Sequence, residues 1–180
     1  GKLSEIVNNS PDDTLTLETT ADTTIIKGSD AHYKVFGYNP DEFPPVSGFE
    51  GEPDFSLTAA SLKTLLDKTR FAAAREMTRY AINGVLFEKK GKKLSLVATD
   101  GHRLAHIEKL GESMEGVSGE KKTLIPRKAL SEISGLLNNT EDERLAFADD
   151  DQTLFFKVGG RVLTSRKLTG QFPNYEAVLP

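Results

Sequence analysis

The tetrapeptide Leu3-Ser4-Glu5-Ile6 recurs unchanged as Leu130-Ser131-Glu132-Ile133, 127 positions later. Asp41-Glu42-Phe43-Pro44 is echoed by Gly170-Gln171-Phe172-Pro173 at an offset of 129. Two matches in near register leave little room for coincidence, and an internal repeat constrains a fold more tightly than any local propensity. Between the paired landmarks, both copies read as three short strands separated by acidic or glycine turns. Residues 49–125 have no copy, so they read as the first half of a unit whose second half is 126–180. Residues 1–48 then read as the second half of a preceding unit, beginning inside its helix. The expectation is a piece of a longer repeat protein: one whole unit and the tail of another.

Local patterning gives the unit its content. Thr58 is a natural N-cap for a helix over Ala59–Arg70, where Leu62, Leu65 and Leu66 fall at the i, i+3, i+4 spacing of one buried stripe. A second helix is expected to start at Pro126 as a first-turn residue. It carries Leu130, Ile133 and Leu137 on one face and ends at Asn138-Asn139. Period-two runs at Thr14–Glu18, Thr23–Lys27, His32–Tyr38, Tyr80–Glu88, Leu94–Thr99, Arg103–Lys109, Arg144–Ala148, Thr153–Val158 and Arg161–Leu168 read as strands. Lys90-Gly91, Asp100-Gly101 and Gly159-Gly160 supply the turns of tight hairpins. Each helix is followed by an antiparallel meander of three strands, which makes an α+β protein.

Composition removes whole classes of function. With no cysteine there is no disulfide scaffold, thiolate metal site or cysteine nucleophile. The first residues show no basic-then-apolar leader and no stretch is long and apolar enough to span a bilayer, so a soluble, cytoplasmic protein is expected. Charge is unevenly spread: residues 1–54 hold 3 Lys/Arg against 11 Asp/Glu, and residues 55–180 hold 20 against 16. Gly111 to Gly116 has Walker spacing, but Val117 stands where lysine is required. His102 and His106 are four apart in an expected strand, too far to share a metal. Asp149-Asp150-Asp151 reads as an acidic hairpin tip before it reads as a cation site. A hydrolase using His102 with Asp100 is a distant alternative, and the expectation is no enzyme, no metal and no cofactor.

Two strings carry a resemblance. Arg79 through Glu88 (Arg-Tyr-Ala-Ile-Asn-Gly-Val-Leu-Phe-Glu) and Val97 through Ala105 (Val-Ala-Thr-Asp-Gly-His-Arg-Leu-Ala) resemble the middle domain of the bacterial replicative sliding clamp family, the beta subunit of DNA polymerase III. Ile125-Pro126-Arg127-Lys128, then Gly170 through Tyr175 and Val178-Leu179-Pro180, follow in that family's order. The resemblance implies a DNA-clamp fold of repeated units, each with two helices on antiparallel sheets. It implies residues 1–48 as the C-terminal half of a first clamp domain, 49–54 as a linker and 55–180 as a complete middle domain. It further implies a homodimeric ring around double-stranded DNA, acting as a processivity factor that a polymerase, a clamp loader and other partners grip through short linear peptides. An adaptor of clamp-like fold that binds peptides without encircling DNA is the alternative.

Site residues follow from the resemblance position by position. The peptide pocket would be lined by Ile82, Thr99, Gly101, His102, Arg103, Leu104, Pro173 and Val178, with an apolar floor and with Arg103 and Thr99 orienting the peptide. The DNA-facing set would be Lys63, Lys68, Arg70, Arg79, Tyr80, Arg127 and Lys128, a sparse cationic lining that suits weak, sequence-blind, salt-dependent contact. His32 and Tyr33, on an edge strand over residues 31–38, would meet a second subunit. Ala177 stands where the family often has arginine, and Ala81 where it has an aromatic residue.

Overall fold

The structure is a computed structural model that describes all residues except Ser47, Glu50, 77–79, 111–118, Asn139, Glu141 and Pro180. The chain divides into two units, Gly1–Val46 and Ser47–Pro180.

The first unit holds helix α1 (Lys2–Asn9) and strands β1 (Thr16–Thr20), β2 (Thr23–Lys27) and β3 (His32–Phe36), an antiparallel sheet in the order β1-β2-β3. Asp12 ties the segment after α1 to the turn after β2, accepting from the Ser29 amide at 3.1 Å and its hydroxyl at 2.5 Å. The expected strand to Tyr38 stops at Phe36, one position before the Gly37 amide makes a last in-register bond to the Asp22 carbonyl at 2.6 Å.

The second unit is built from two halves of one pattern. The first runs β4 (Phe55–Thr58), α2 (Ala59–Asp67), β5 (Gly84–Lys90), β6 (Lys93–Thr99) and β7 (Leu104–Leu110). The second runs β8 (Glu120–Pro126), α3 (Arg127–Leu136), β9 (Arg144–Asp149), β10 (Thr153–Val158) and β11 (Arg161–Arg166). The leading strands are exchanged: the two sheets have the orders β11-β10-β9-β4 and β7-β6-β5-β8. Each half therefore completes the other half's sheet, and neither is a folding unit without its partner. Sequence patterning missed both exchanged strands.

Both helices lay their apolar stripe between the sheets. Leu62, Leu65 and Leu66 of α2 and Ala129, Leu130 and Ile133 of α3 are buried in one core with Phe55, Phe87, Phe147 and Phe156. Phe147 stacks on Phe55 at 4.8 Å and lies 5.0 Å from Phe156, ring centre to ring centre. Thr58 caps α2 as expected, accepting from the Ser61 amide at 3.3 Å. The helix ends at Asp67 rather than Arg70, because buried Thr69 turns its hydroxyl back onto the Leu65 carbonyl at 2.8 Å and a 3-10 turn, Arg70–Ala72, follows. Pro126 is the N-cap of α3 and not its first-turn residue. Its backbone is still extended, at φ −66° and ψ 148°, as the last residue of β8.

The largest departure is the expected strand Tyr80–Glu88, which begins only at Gly84. Residues 81 and 82 direct their backbone elsewhere, the Ala81 amide to Gln171 and the Ile82 carbonyl to the Ala74 amide, while the Asn83 carbonyl accepts from the Arg127 amide in register with β8. Gly84 makes the crossing possible, since a Cβ there would sit 2.3 Å from the Ile125 carbonyl oxygen.

Candidate functional site

Alternation along the β7-β6-β5-β8 sheet separates two faces. Val85, Phe87, Leu94, Leu96, Ala98 and Ile125 point into the main core. The opposite face is built in three cross-strand rows. Thr99 pairs with Leu104 in the first, Leu124, Leu86, Val97 and His106 form the second, and Lys122, Glu88, Ser95 and Glu108 form the third. The C-terminal segment crosses this face. Tyr175, Phe172 and Leu179 pack on Leu86, Val97, Leu104 and Leu124 as a second, smaller cluster.

A cavity of about 500 Å3 opens at the first row. Its wall includes all eight residues assigned to the peptide pocket: Ile82, Thr99, Gly101, His102, Arg103, Leu104, Pro173 and Val178. They come from three stretches of chain: the bend before β5, the β6–β7 turn and the C-terminal segment. The 3-10 turn Tyr175–Val178 supplies the last of them. The sequence reading did not include Asn174 and Tyr175, which also line the cavity. Both lie in the Gly170–Tyr175 landmark string, but only side-chain placement reveals which of its members face the cavity. Tyr80, assigned to the DNA-facing set, lines this cavity too and is 46% exposed.

The β6–β7 turn is held from within. Asp100 accepts from the amides of His102 at 3.0 Å and Arg103 at 3.1 Å, and from Arg103 Nε at 3.0 Å. The His102 amide bond, with those from Arg103, holds the Asp100 carboxyl below the usual carboxylate range. Asp100 thus meets His102 through the backbone, as a turn-former. Gly101 adopts φ +90°, which a side chain would strain. The Thr99 hydroxyl donates to the Arg103 carbonyl at 2.7 Å and accepts from the Gly101 amide at 3.1 Å. Arg103 also donates to the Phe71 carbonyl at 3.1 Å, with its guanidinium 5.6 Å from the Phe71 ring centre. Thr99 and Arg103 are therefore committed to shaping the turn, and the apolar floor of Ile82, Leu104, Pro173 and Val178 is what the cavity offers a ligand.

The two departures from the family pattern fall differently. Ala81 is buried, and its Cβ lies where a Cβ on Gly170 would come within 3.0 Å, so an aromatic residue there would displace the 170–171 segment. Ala177 is exposed.

Of the cationic set, Arg70 and Arg127 share the wall of a shallow cavity of about 300 Å3 with Asp67, Phe71, Leu130 and Ser131. Arg70 donates to Ser134 Oγ at 2.9 Å and lies 3.2 Å from Asp67, joining the end of α2 to α3. Arg127 donates to the Ala73 carbonyl at 3.2 Å. Lys68 and Lys128 are exposed and Lys63 is half-buried on α2. Arg79 lies outside the described residues, as does the Walker-like spacing at 111–117. In the first unit, His32 and Tyr33 lie on β3, at one edge of its sheet, with Tyr33 39% exposed.

Asp149 corrects the reading of the 149–151 run as a hairpin tip. Its side chain is fully buried, pairs with Lys121 and Lys167, and accepts from the Thr123 hydroxyl at 2.9 Å. Burial would raise its carboxyl, but the lysine and threonine bonds outweigh that and hold it low. Asp150 and Asp151 do lie in the β9–β10 turn, where the Asp150 carboxylate accepts from the amides of Gln152 and Thr153. Among the described residues, no group of three or more His, Asp or Glu is placed to hold a metal ion.

Two exchanged βαβββ halves closing two four-stranded sheets around a shared core define a DNA-clamp unit. A solved DNA polymerase III beta subunit from Pseudomonas aeruginosa superposes over 99% of this chain and 48% of its own, with a TM-score of 0.85 and 30% identity. A sliding clamp from Bartonella birtlesii, bound to griselimycin, superposes over 99% and 49% with a TM-score of 0.85 and 34% identity. The family described as DNA polymerase III beta subunit, central domain, matches residues 56–174. The beta sliding clamp of Proteus mirabilis is 32% identical over 167 residues, 92% of this chain and 44% of its own. The chain belongs to the beta sliding clamp family of DNA polymerase III, and it spans about half the length of the curated relatives it matches.

Proposed function

We propose that this chain is part of a ring-shaped sliding clamp, with residues 1–48 as the C-terminal half of its first domain, 49–54 as a linker and 55–180 as its complete middle domain. The intact protein, a homodimer joined through the edge strand that bears His32 and Tyr33, encircles double-stranded DNA in the cytoplasm and acts as a non-catalytic processivity factor. Among the described residues, no helix is long and apolar enough to cross a membrane. The catalytic subunit of DNA polymerase III, the clamp loader and other polymerases are held through short linear peptides. The observation that carries the reading is the gathering of eight residues from three distant stretches into one cavity with an apolar floor. Such a floor suits a peptide's aliphatic or aromatic anchor, which acts as a hot spot once desolvated. The cations at the helix starts and ends are few and partly engaged in holding α2 to α3. That suits loose, water-mediated phosphate contact along which a ring slides.

Topology is the feature that separates a clamp from an adaptor. The full-length protein, loaded on nicked circular duplex DNA, is expected to resist a high-salt wash and to dissociate when the circle is cut. Equal retention on circular and linear DNA, or release from both by salt alone, would contradict encirclement.

A further inference from the structure

The wall of the peptide cavity formed by Pro173 and Val178 has little regular structure to hold it. It belongs to an irregular stretch ending in a single 3-10 turn, Tyr175–Val178, without a side-chain cap. A cavity lies on each side: the peptide cavity of about 500 Å3, and another of about 540 Å3 lined by Leu86, Leu124, Lys122, Lys167 and Phe172. Pro173, Asn174 and Tyr175 line both, so this stretch is a partition between two open spaces.

Tyr175 gives it a buried polar anchor. Within the 3-10 turn only Tyr175 is buried, while Glu176, Ala177 and Val178 are exposed. Its ring rests on the second row of the outer face, 6.4 Å from Phe172 and 5.7 Å from His106, ring centre to ring centre. Its hydroxyl reaches the third row and donates to the Glu88 carboxylate. Glu88 is only 3% exposed and is paired in turn with Lys122. Phe172 and Leu179 add apolar contact with the same cluster, and other polar ties among the described residues are weaker: the Ala81 amide to Gln171 at 3.2 Å, and a Lys90–Glu176 pair at 4.0 Å between exposed side chains.

We infer that Tyr175, fastened to Glu88, is a positioning residue that fixes the Pro173–Val178 wall of the cavity. The cavity's grip on a peptide anchor thus depends on a buried carboxylate on β5 that does not line the cavity. The inference deepens the peptide-binding reading above and rests on it. Burying a carboxylate is unfavourable unless its partners are in place, so the Tyr175 hydroxyl and the Lys122 ammonium have a strongly preferred geometry. That geometry reaches the wall through three residues of backbone.

The test uses the full-length protein and a fluorescein-labelled Gln-Ala-Ala-Leu-Phe peptide, with affinity read by fluorescence anisotropy. Tyr175→Phe keeps the ring on Leu86 and Val97 and removes only the bond to Glu88. It is expected to weaken peptide binding about tenfold, because a wall no longer fastened to Glu88 must be ordered when the peptide binds. A merely structural role would lower affinity equally in any background, whereas a positioning role acts through Val178. In a Val178→Ala background, Tyr175→Phe should therefore cost less than about twofold, a non-additivity expected of coupled sites. An unchanged affinity in Tyr175→Phe, or equal losses in both backgrounds, would overturn the inference while leaving the peptide site standing. No binding by the unaltered protein, or binding untouched by Leu104→Ala, would instead overturn the peptide-binding reading and the inference with it.

Discussion

Phe87 and Glu88 are neighbours in sequence on β5 and lie on opposite faces of one sheet. Phe87 enters a continuous apolar core, 6.3 Å from Phe147, ring centre to ring centre. Glu88 lies under the C-terminal segment among Tyr175, Lys122 and Ser95. Both are almost fully buried, at 2% and 3% exposure. The inner face tolerates only well-packed apolar groups and specifies the fold. The outer face buries polar groups at a cost that is offset only by particular partners, and there the cavity is built. The same sheet thus carries a fold-making surface and a site-making surface, and substitutions on the two should fail in different ways.

Phe87→Ala should have the largest effect. A large buried side chain lost from a close-packed core costs about 3–5 kcal/mol, enough to threaten folding of a domain this size. Chemical denaturation should show the loss as a shifted midpoint at constant slope.

Leu104→Ala, on the cavity floor, should instead weaken peptide binding about tenfold, close to 1.4 kcal/mol. Its stability cost should be smaller than that of Phe87→Ala, because Leu104 is only half-buried against the second cluster. If the two variants lost stability alike, the distinction between faces would collapse.

The pH dependence sharpens the comparison. Burial alone would raise the Glu88 carboxyl, but bonds from Lys122 and Tyr175 outweigh it and hold it below the usual range. A carboxyl that is lowered on folding stabilises the fold above its unfolded value, and that contribution is lost as pH falls through the folded value. Glu88→Gln should therefore lose less stability than the unaltered chain between pH 7 and pH 3. Denaturant melts at the two pH values measure the difference.

Lys128→Gln should be nearly silent by these measures. Lys128 is exposed at the start of α3, so its stability effect should stay within about 0.5 kcal/mol. In the intact ring, its removal should reduce the salt slope of duplex binding by about one phosphate contact.

These contrasts explain what the sequence disclosed. The apolar stripes of α2 and α3, the Thr58 cap and most meander strands follow from local periodicity, because each buries one face of a regular element. The leading strands β4 and β8 escaped that logic. β4 has only four residues, β8 opens on Glu120-Lys121-Lys122, and both pair with the opposite half of the unit. The bend at 80–83 resembles a strand in composition, yet the Ile82 amide turns back to the Tyr80 carbonyl and the Ala81 amide and Ile82 carbonyl bond to Gln171 and Ala74. The cavity lining was legible only through the family strings. The Tyr175–Glu88 bond spans 87 residues and the Asp149–Thr123 bond spans 26, and no local pattern marks either pair. Asp149 looked like part of an acidic turn because its run is acidic, and its buried partners Lys121 and Lys167 come from elsewhere in the chain.

The most direct test of the site is an NMR titration of this chain with the Gln-Ala-Ala-Leu-Phe peptide, with Leu104→Ala as control. Shift changes should cluster on Ile82, Thr99–Leu104, Asn174 and Val178, leave the inner face around Phe87 and Phe147 unmoved, and vanish in the control. Changes centred on α2 and α3, or none at millimolar peptide, would contradict the assignment of the outer-face cavity as the partner site.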